Sequence, residues 1–146
     1  MLKKISPLLS GNLLKILCDM GHGDEIAIVD ANYPAYSCKA AHYSAVPGIG
    51  SVDILKAILD IFPVDTYVQK PFQLMKVVEG DTTVPVIWED YKKVLKAYGF
   101  NENHIGYIDR FGFYEYCDKA YCVLSSGERR LYGNIIIKKG VLQAYE

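Results

Sequence analysis

Apolar residues recur at helical spacing in three stretches of the chain. The first stretch begins after Ser10, a suitable N-cap, and ends at Gly21. A second helix is predicted from Ser51 to Pro63, and a third starts with Pro85 in its first turn. The apolar positions are Leu13, Leu14, Leu17 and Met20 in the first, Ile54, Leu55, Ile58, Leu59 and Phe62 in the second, and Trp88, Tyr91, Leu95 and Tyr98 in the third. We interpret the aromatic stripe of the third helix as packing against a sheet.

Short β-branched runs between turn residues predict the strands. The clearest is Glu25–Val29, which follows the first helix directly and is bounded by Asp30. A short helix is predicted over 113–119. The remaining predicted strands cover 72–78, 104–108, 121–124 and 134–138. This alternation indicates an α/β fold in one domain, residues 1–146, with helices on both faces of the sheet.

Composition narrows the class of protein. The 146 residues carry a net charge of −1, and 51% of them are hydrophobic, which excludes a disordered chain. This apolar share exceeds what a monomer of this size needs to bury, so we expect a homo-oligomer. Lysines and arginines are scattered, which argues against nucleic acid and membrane surfaces as partners. Four irregularly spaced cysteines and the lack of a signal-peptide pattern indicate a cytoplasmic protein.

A histidine between two glycines is the first candidate for chemistry. Gly21 and Gly23 remove side-chain bulk around His22, so a ligand can approach the imidazole closely. Asp30 follows the next strand, at a strand end of the kind where α/β proteins bind ligands. Each also has a structural interpretation, a histidine in a turn and a turn-forming aspartate before a proline.

Two further polar clusters lie in the second half of the chain. Arg110 can hydrogen-bond a sugar hydroxyl or carboxylate, and Tyr114 offers a ring face and a titratable hydroxyl. Tyr132, Gly133 and Asn134 combine an aromatic face, an unhindered backbone and an amide, a set suited to polyhydroxylated ligands. Each has a structural alternative: a surface salt bridge for Arg110, core packing for Tyr114, and an ordinary turn for residues 132–134.

Phosphate and metal sites are not supported by the spacing. The segment 48–51, Gly-Ile-Gly-Ser, lacks the third glycine and the lysine of a phosphate-binding loop. No pair formed by His22, His42 or His104 with an acidic or cysteine residue has ligand spacing on one helix or hairpin, so we expect no metal unless the tertiary fold brings ligands together.

Several motifs in this order resemble the L-fucose mutarotase family, which is related to the D-ribose pyranase family. They are MGHGDEI, DANYP, FPVDTYV, RFGFYE and SGERRLYGNIIIKKGV, and together they span nearly the whole chain. The ribose branch typically carries Thr where this chain has Gly23, and it lacks the aromatic residue of DANYP. The chain is therefore more similar to the fucose branch.

The resemblance implies an isomerase that interconverts the anomers of a monosaccharide, L-fucose above all, without a cofactor, in a ring-shaped decamer. By position, His22 matches the family's catalytic histidine and Tyr114 a tyrosine of proton transfer. Residues matching sugar contacts are Asp30, Arg110, Tyr132, Gly133 and Asn134, with Asp65 and Met75 matching contacts in some members.

These residue types suit the opening and closing of a hemiacetal ring. A base takes the proton of the anomeric hydroxyl while an acid protonates the ring oxygen, and histidine and tyrosine can fill both roles. The sequence leaves open which of them donates first, and whether Asp30 orients the imidazole or holds a sugar hydroxyl. Two alternatives also remain: a ribose-type pyranase that interconverts pyranose and furanose rings, and a non-catalytic sugar-binding or sensing subunit.

Overall fold

The computed structural model describes residues 2–144, which form a mixed α/β fold around one six-stranded sheet. The strands lie in the order β2-β5-β1-β6-β3-β4. β6 runs antiparallel to its neighbours β1 and β3, whereas the other pairs are parallel. The elements are α1 (Gly11–Asp19), β1 (Glu25–Val29), β2 (His42–Val46), α2 (Ser51–Leu59), β3 (Phe72–Met75), α3 (Ile87–Ala97), β4 (Ile105–Ile108), α4 (Arg110–Lys119), β5 (Cys122–Ser126) and β6 (Ile135–Lys138), with 3-10 helices at Ala35–Ser37 and Glu102–His104.

Both faces of the sheet are covered by helices, as the alternating pattern predicts. Alternate residues of β1 separate the two sides: Ile26 and Ile28 pack with α1, α2 and α3, whereas Ala27 and Val29 pack with α4. The aromatic stripe of α3 is part of the first core, with Tyr91 fully buried. Among residues 2–144, none of the helices has the length and apolar character needed to cross a bilayer.

The hydrophobic pattern of the sequence does not predict strand β2. β2 lies at the edge of the sheet and pairs only with β5 among the described strands. Ser44 is its one buried residue, and the other four residues are partly or fully exposed. An edge strand of mixed polarity carries neither a continuous apolar run nor strict alternation, so it cannot be predicted from its sequence pattern.

The predicted starts of α2 and α3 are wrong. Gly50 takes the N-cap position of α2, and Ser51 is instead a buried first-turn residue whose Oγ lies 2.6 Å from the hydroxyl oxygen of Tyr91. Pro85 lies two residues before α3, where its carbonyl accepts a hydrogen bond from the Trp88 N–H at 3.0 Å. A turn therefore precedes α3, and the proline belongs to that turn.

Other boundaries differ as well, such as the end of α2 at Leu59 rather than before Pro63, and two of them have visible reasons. β3 ends at Met75 rather than at residue 78 because the chain leaves the sheet, and the Val78 N–H donates to the Tyr132 hydroxyl at 3.3 Å. α4 begins at Arg110 rather than at residue 113 because the Asp109 carboxylate caps it, accepting from the Gly112 N–H at 2.9 Å. The earlier start places Arg110 and Tyr114 one helical turn apart.

Candidate active site

A cavity of about 220 Å³ lies at the edge of the sheet that is formed by the carboxyl ends of the parallel strands. β1, β3 and β4 deliver their following residues to this edge, and the antiparallel β6 begins there. The strand order therefore gathers side chains that are far apart in the chain. The predicted site residues in its lining are Asp30, Met75, Arg110, Tyr114, Tyr132 and Asn134.

Asp30 and Asn134 form a buried pair in this cavity. The Asp30 N–H donates to Asn134 Oδ1 at 2.9 Å, and Asn134 Nδ2 donates to Asp30 Oδ2 at 3.0 Å. The Asn32 N–H donates to the other carboxylate oxygen at 2.9 Å. Burial raises the pKa of Asp30 despite these hydrogen bonds. The two side chains are thus held rigidly, with a carboxyl group and an amide presented together.

Arg110 and Tyr114 interact on the first turns of α4. Arg110 Nε donates to the Tyr114 hydroxyl oxygen at 3.1 Å, and the guanidinium carbon lies 5.5 Å from the centre of the Tyr114 ring. This hydrogen bond raises the pKa of Arg110 further above its ordinary value. Tyr33 packs edge-on against the Tyr114 ring at 5.3 Å between centroids. Since the phenol oxygen accepts from Arg110, its own proton remains available for donation.

Tyr132 is held in a different way. Its hydroxyl donates to the Asp81 carboxylate, which raises the pKa of Tyr132. Its backbone has a φ of 60°, an uncommon value for a side chain of this size, and Trp88 Nε1 donates to its carbonyl at 3.2 Å. The phenol proton of Tyr132 is therefore engaged within the protein.

Gly133 does not line the cavity. A Cβ at this position would lie 2.8 Å from Glu128 Cγ and 3.1 Å from the Arg130 carbonyl oxygen. The glycine permits a close approach of the chain just before Asn134, which is a packing role.

His22 and Asp65 lie at the opposite edge of the sheet. His22 precedes β1, whereas Asp30 follows it, and five strand residues span about 16 Å. His22 Nε2 lies 3.4 Å from Asp65 Oδ1, and the His22 ring packs on Tyr67 at 5.5 Å between centroids. Asp65 is 2% exposed, whereas the His22 side chain is 47% exposed. Within one protomer, the structure does not bring the histidine to the cavity.

The cavity also contains residues that sequence reasoning did not select as site residues. They are Asn32, Tyr33, Pro34 and Val78. The first three belong to the DANYP motif, so their proximity to Asp30 in the sequence was a usable signal. Val78 and Asp81 lie in an irregular segment after β3, where no periodic pattern marks them.

Glu128 is another residue whose environment the sequence did not reveal. It is 5% exposed, and its Oε1 accepts from Arg130 Nε at 2.9 Å. Hydrogen bonds from Arg130 hold the pKa of Glu128 at about 2, below its ordinary value of 4.5. A carboxyl group that ionises more readily in the folded state stabilises the fold above the unfolded-state pKa, and the contribution disappears as pH falls towards the folded-state pKa.

Acid should therefore remove the contribution of ionised Glu128 to the free energy of unfolding. Between pH 4.5 and pH 2, protonation of Glu128 is expected to remove roughly 2 kcal/mol of the free energy of unfolding, allowing for screening of the partly exposed Arg130. Urea denaturation of wild type and Glu128→Gln, at one protein concentration, measures this. The difference between the two should be constant above pH 5 and shrink below it. Parallel curves down to pH 3 would contradict the assignment.

Known proteins similar to this chain belong to the family that its motifs resemble. A family model described as the RbsD / FucU transport protein family matches residues 3–142. An L-fucose mutarotase of Haemophilus influenzae is 47% identical over 144 residues, which cover 97% of each chain. The fucose mutarotase of Streptococcus pneumoniae, whose crystal structure is in complex with L-fucose, is 43% identical with a TM-score of 0.92, covering 97% of this chain and 100% of that chain.

A solved structure with lower sequence identity is a complex with D-ribose. RbsD of Bacillus subtilis, complexed with D-ribose, is 26% identical with a TM-score of 0.72, covering 98% of this chain and 100% of that chain. Similarity is thus greater to the fucose mutarotase than to the ribose protein. With a family model spanning nearly its whole length and a relative at 47% identity, the chain belongs to the RbsD / FucU family, as its motifs predict.

Proposed function

We propose that this protein is an L-fucose mutarotase, an isomerase that interconverts the α and β anomers of L-fucose by opening and closing the sugar ring. The observation that carries the proposal is the cavity, where a carboxyl–amide pair and a tyrosine hydroxyl supported by arginine lie together. Its volume of about 220 Å³ is below the roughly 300–1,000 Å³ of pockets for drug-sized ligands, which suits a single monosaccharide.

The reaction needs one acid and one base. The base removes the proton of the anomeric hydroxyl as the acid protonates the ring oxygen, and the C1–O5 bond breaks to give the open-chain aldehyde. Rotation about C1–C2 and the reverse proton transfers then form the other anomer. General acid–base catalysis by side chains contributes about 10²–10⁴ in rate and accounts for this exchange without a cofactor.

Tyr114 is the better placed of the two cavity tyrosines to act as the acid. Arg110 Nε donates to its oxygen at 3.1 Å, so the guanidinium stabilises the negative charge that forms when the phenol proton is transferred. Tyr132 differs because its proton is directed to Asp81. We therefore assign proton transfer to Tyr114 and sugar contact to Tyr132.

Asp30 and Asn134 are proposed to hold sugar hydroxyls. Their mutual hydrogen bonds fix both side chains, and each retains further capacity to accept or donate. Asp30 lies at the opposite end of β1 from His22 of its own protomer, which argues against its orienting that imidazole. Met75, buried at the end of β3, supplies an apolar wall.

His22 is proposed to act as the base from a neighbouring copy of the chain. A proton on Nε2, donated towards Asp65, leaves the lone pair on Nδ1 to accept a proton. Because His22 is half exposed, it can extend into the cavity of another subunit. In such a contact, one sheet edge meets the opposite edge of the next copy, and a head-to-tail interface of this kind forms a ring where the rotation between copies closes.

Exposed apolar residues support this interface at both edges. Phe111 is 75% exposed beside Arg110, and Leu131 is 53% exposed beside Tyr132. Near His22, Tyr67 is 71% exposed. Large apolar side chains in contact with water are candidates for burial against a partner. We propose the ring-shaped decamer implied by the family resemblance as the assembly, and a cytoplasmic location.

Saturation-transfer NMR of equilibrated sugars tests the proposed function. The protein is expected to accelerate α/β exchange of L-fucose well above the buffer rate, and more strongly than it accelerates exchange of D-ribose. A stronger effect on ribose would favour a ribose-type pyranase. Binding of L-fucose with exchange no faster than in buffer would indicate a non-catalytic sugar-binding or sensing subunit and overturn the proposal.

A further inference from the structure

An ion pair between the buried Glu128 and the partly exposed Arg130 lies behind the cavity without lining it. Glu128 accepts from the N–H of Arg130 at 3.0 Å and from its Nε at 2.9 Å through Oε1, and from its Nη2 at 3.0 Å through Oε2. The Ser51 hydroxyl also donates to Oε2, at 3.3 Å. The carboxylate is therefore fully partnered inside the protein.

Glu128 contacts both chain segments that supply the carboxyl–amide pair. Its carbonyl accepts from the Ala31 N–H at 2.8 Å, directly after Asp30. Its Cγ lies against Gly133, directly before Asn134. A displacement of Glu128 would therefore move the segments of both cavity residues.

The same ion pair is anchored to α3. Arg130 Nη1 donates to Asp90 Oδ2 at 2.7 Å. A second attachment lies close by, where Trp88 Nε1 donates to the Tyr132 carbonyl at 3.2 Å. The segment 127–134 is thus joined to one helix at two points on either side of Leu131.

The stability gained when Glu128 ionises does not by itself require this geometry. Taking a carboxylate out of water costs free energy, and well-packed apolar residues in place of a buried ion pair are often as stable or more so. The charged pair fixes the relative orientation of the two side chains, because a guanidinium and a carboxylate paired through two parallel hydrogen bonds have a defined geometry.

We propose that Glu128 is a positioning residue for the sugar cavity: through Arg130 and Asp90 it fixes segment 127–134 to α3 and thereby sets the places of Asp30 and Asn134. This inference rests on the proposed function in taking L-fucose as the ligand of the cavity. Glu128 itself does not touch the sugar.

The test compares Glu128→Gln and Asp90→Asn with wild type, well below their unfolding temperatures. The dissociation constant for L-fucose, from calorimetry, should rise at least tenfold in Glu128→Gln and severalfold in Asp90→Asn. The rate constant of exchange at saturating sugar should change less than threefold, because the acid and the base remain. If Glu128→Gln does not fold, Asp90→Asn, which alters a partly exposed residue, provides the result.

Two measurements separate positioning from a general loss of stability. Lys92→Ala is the matched control, because Lys92 forms ion pairs from the same helix with Glu89 at 3.0 Å and Glu102 at 3.3 Å. Its fucose affinity should equal that of wild type. The double variant Glu128→Gln/Asp90→Asn should lose less affinity than the sum of the single losses, since both act through Arg130.

The outcomes are distinct for the two proposals. Unchanged fucose affinity in Glu128→Gln, with only a lower unfolding temperature, would overturn the positioning role while leaving the mutarotase intact. Wild-type protein that binds L-fucose without accelerating exchange would overturn the mutarotase alone, and the affinity comparison would still decide the role of Glu128. Wild-type protein that does not bind L-fucose would overturn both.

Discussion

Replacing His22 by Ala is expected to slow the catalysed exchange of α- and β-L-fucose by about 10²–10⁴ in a protein that stays folded. The reason is loss of the proposed base, since the glycine-flanked turn contains no second histidine that could replace it. Saturation-transfer NMR measures the exchange, and circular dichroism measures folding. His42→Ala is the matched control, because His42 is exposed on the edge strand and stacks on Tyr121.

Mixing two inactive variants shows where the base comes from. If His22 of one copy serves the cavity of another, assemblies reformed from His22→Ala and Tyr114→Phe chains contain some sites with both native residues. Activity should then reappear, up to about a quarter of the wild-type value for random assembly at a heterologous interface. Absence of any recovery would show that the two residues act within one chain. Unchanged exchange in His22→Ala itself would remove the histidine from the mechanism.

Tyr114→Phe is expected to lower the exchange rate constant by about 10²–10³, with little effect on the dissociation constant for L-fucose. The substitution removes the proton that the proposed acid donates, whereas the ring packed against Tyr33 is retained. Tyr132→Phe is the informative comparison because it removes a hydroxyl from the same cavity. We expect it to weaken sugar binding and to change the rate constant at saturation by less than tenfold.

The difference between the two tyrosines follows from their partners. Arg110 donates to Tyr114, while Asp81 accepts from Tyr132. NMR exchange at saturating sugar reports the rate constant, and calorimetry reports affinity. Equal losses of rate constant in both variants would show that the hydrogen-bond partners do not separate their roles.

Element types were predictable wherever the apolar pattern was strong. β1 was located to the residue because its β-branched run lies between polar residues, and the start of α1 because Ser10 accepts from the Leu13 N–H at 3.2 Å as an N-cap should. The edge strand β2 was missed because it buries one residue in five. Ser51 was mistaken for a cap because its partner, Tyr91, lies 40 positions away.

The candidate site was predictable in its residue types and only partly in its geometry. The sequence left open whether Asp30 orients the His22 imidazole, and the structure places the two at opposite ends of β1. The partner of Asp30 was not visible in the sequence either. Asn134 lies 104 positions further along the chain, and only the insertion of β6 between β1 and β3 brings the two together.

By itself, the sequence determined the family, the α/β class and the side chains available for acid–base chemistry, because local periodicity and short motifs are properties of the linear chain. The tertiary structure decided which of these side chains share a cavity, which proton Asp81 holds, and where Glu128 is buried. The physical reason is that strand order and burial depend on contacts between distant segments, and hydrogen-bond partners are set by those contacts rather than by spacing along the chain.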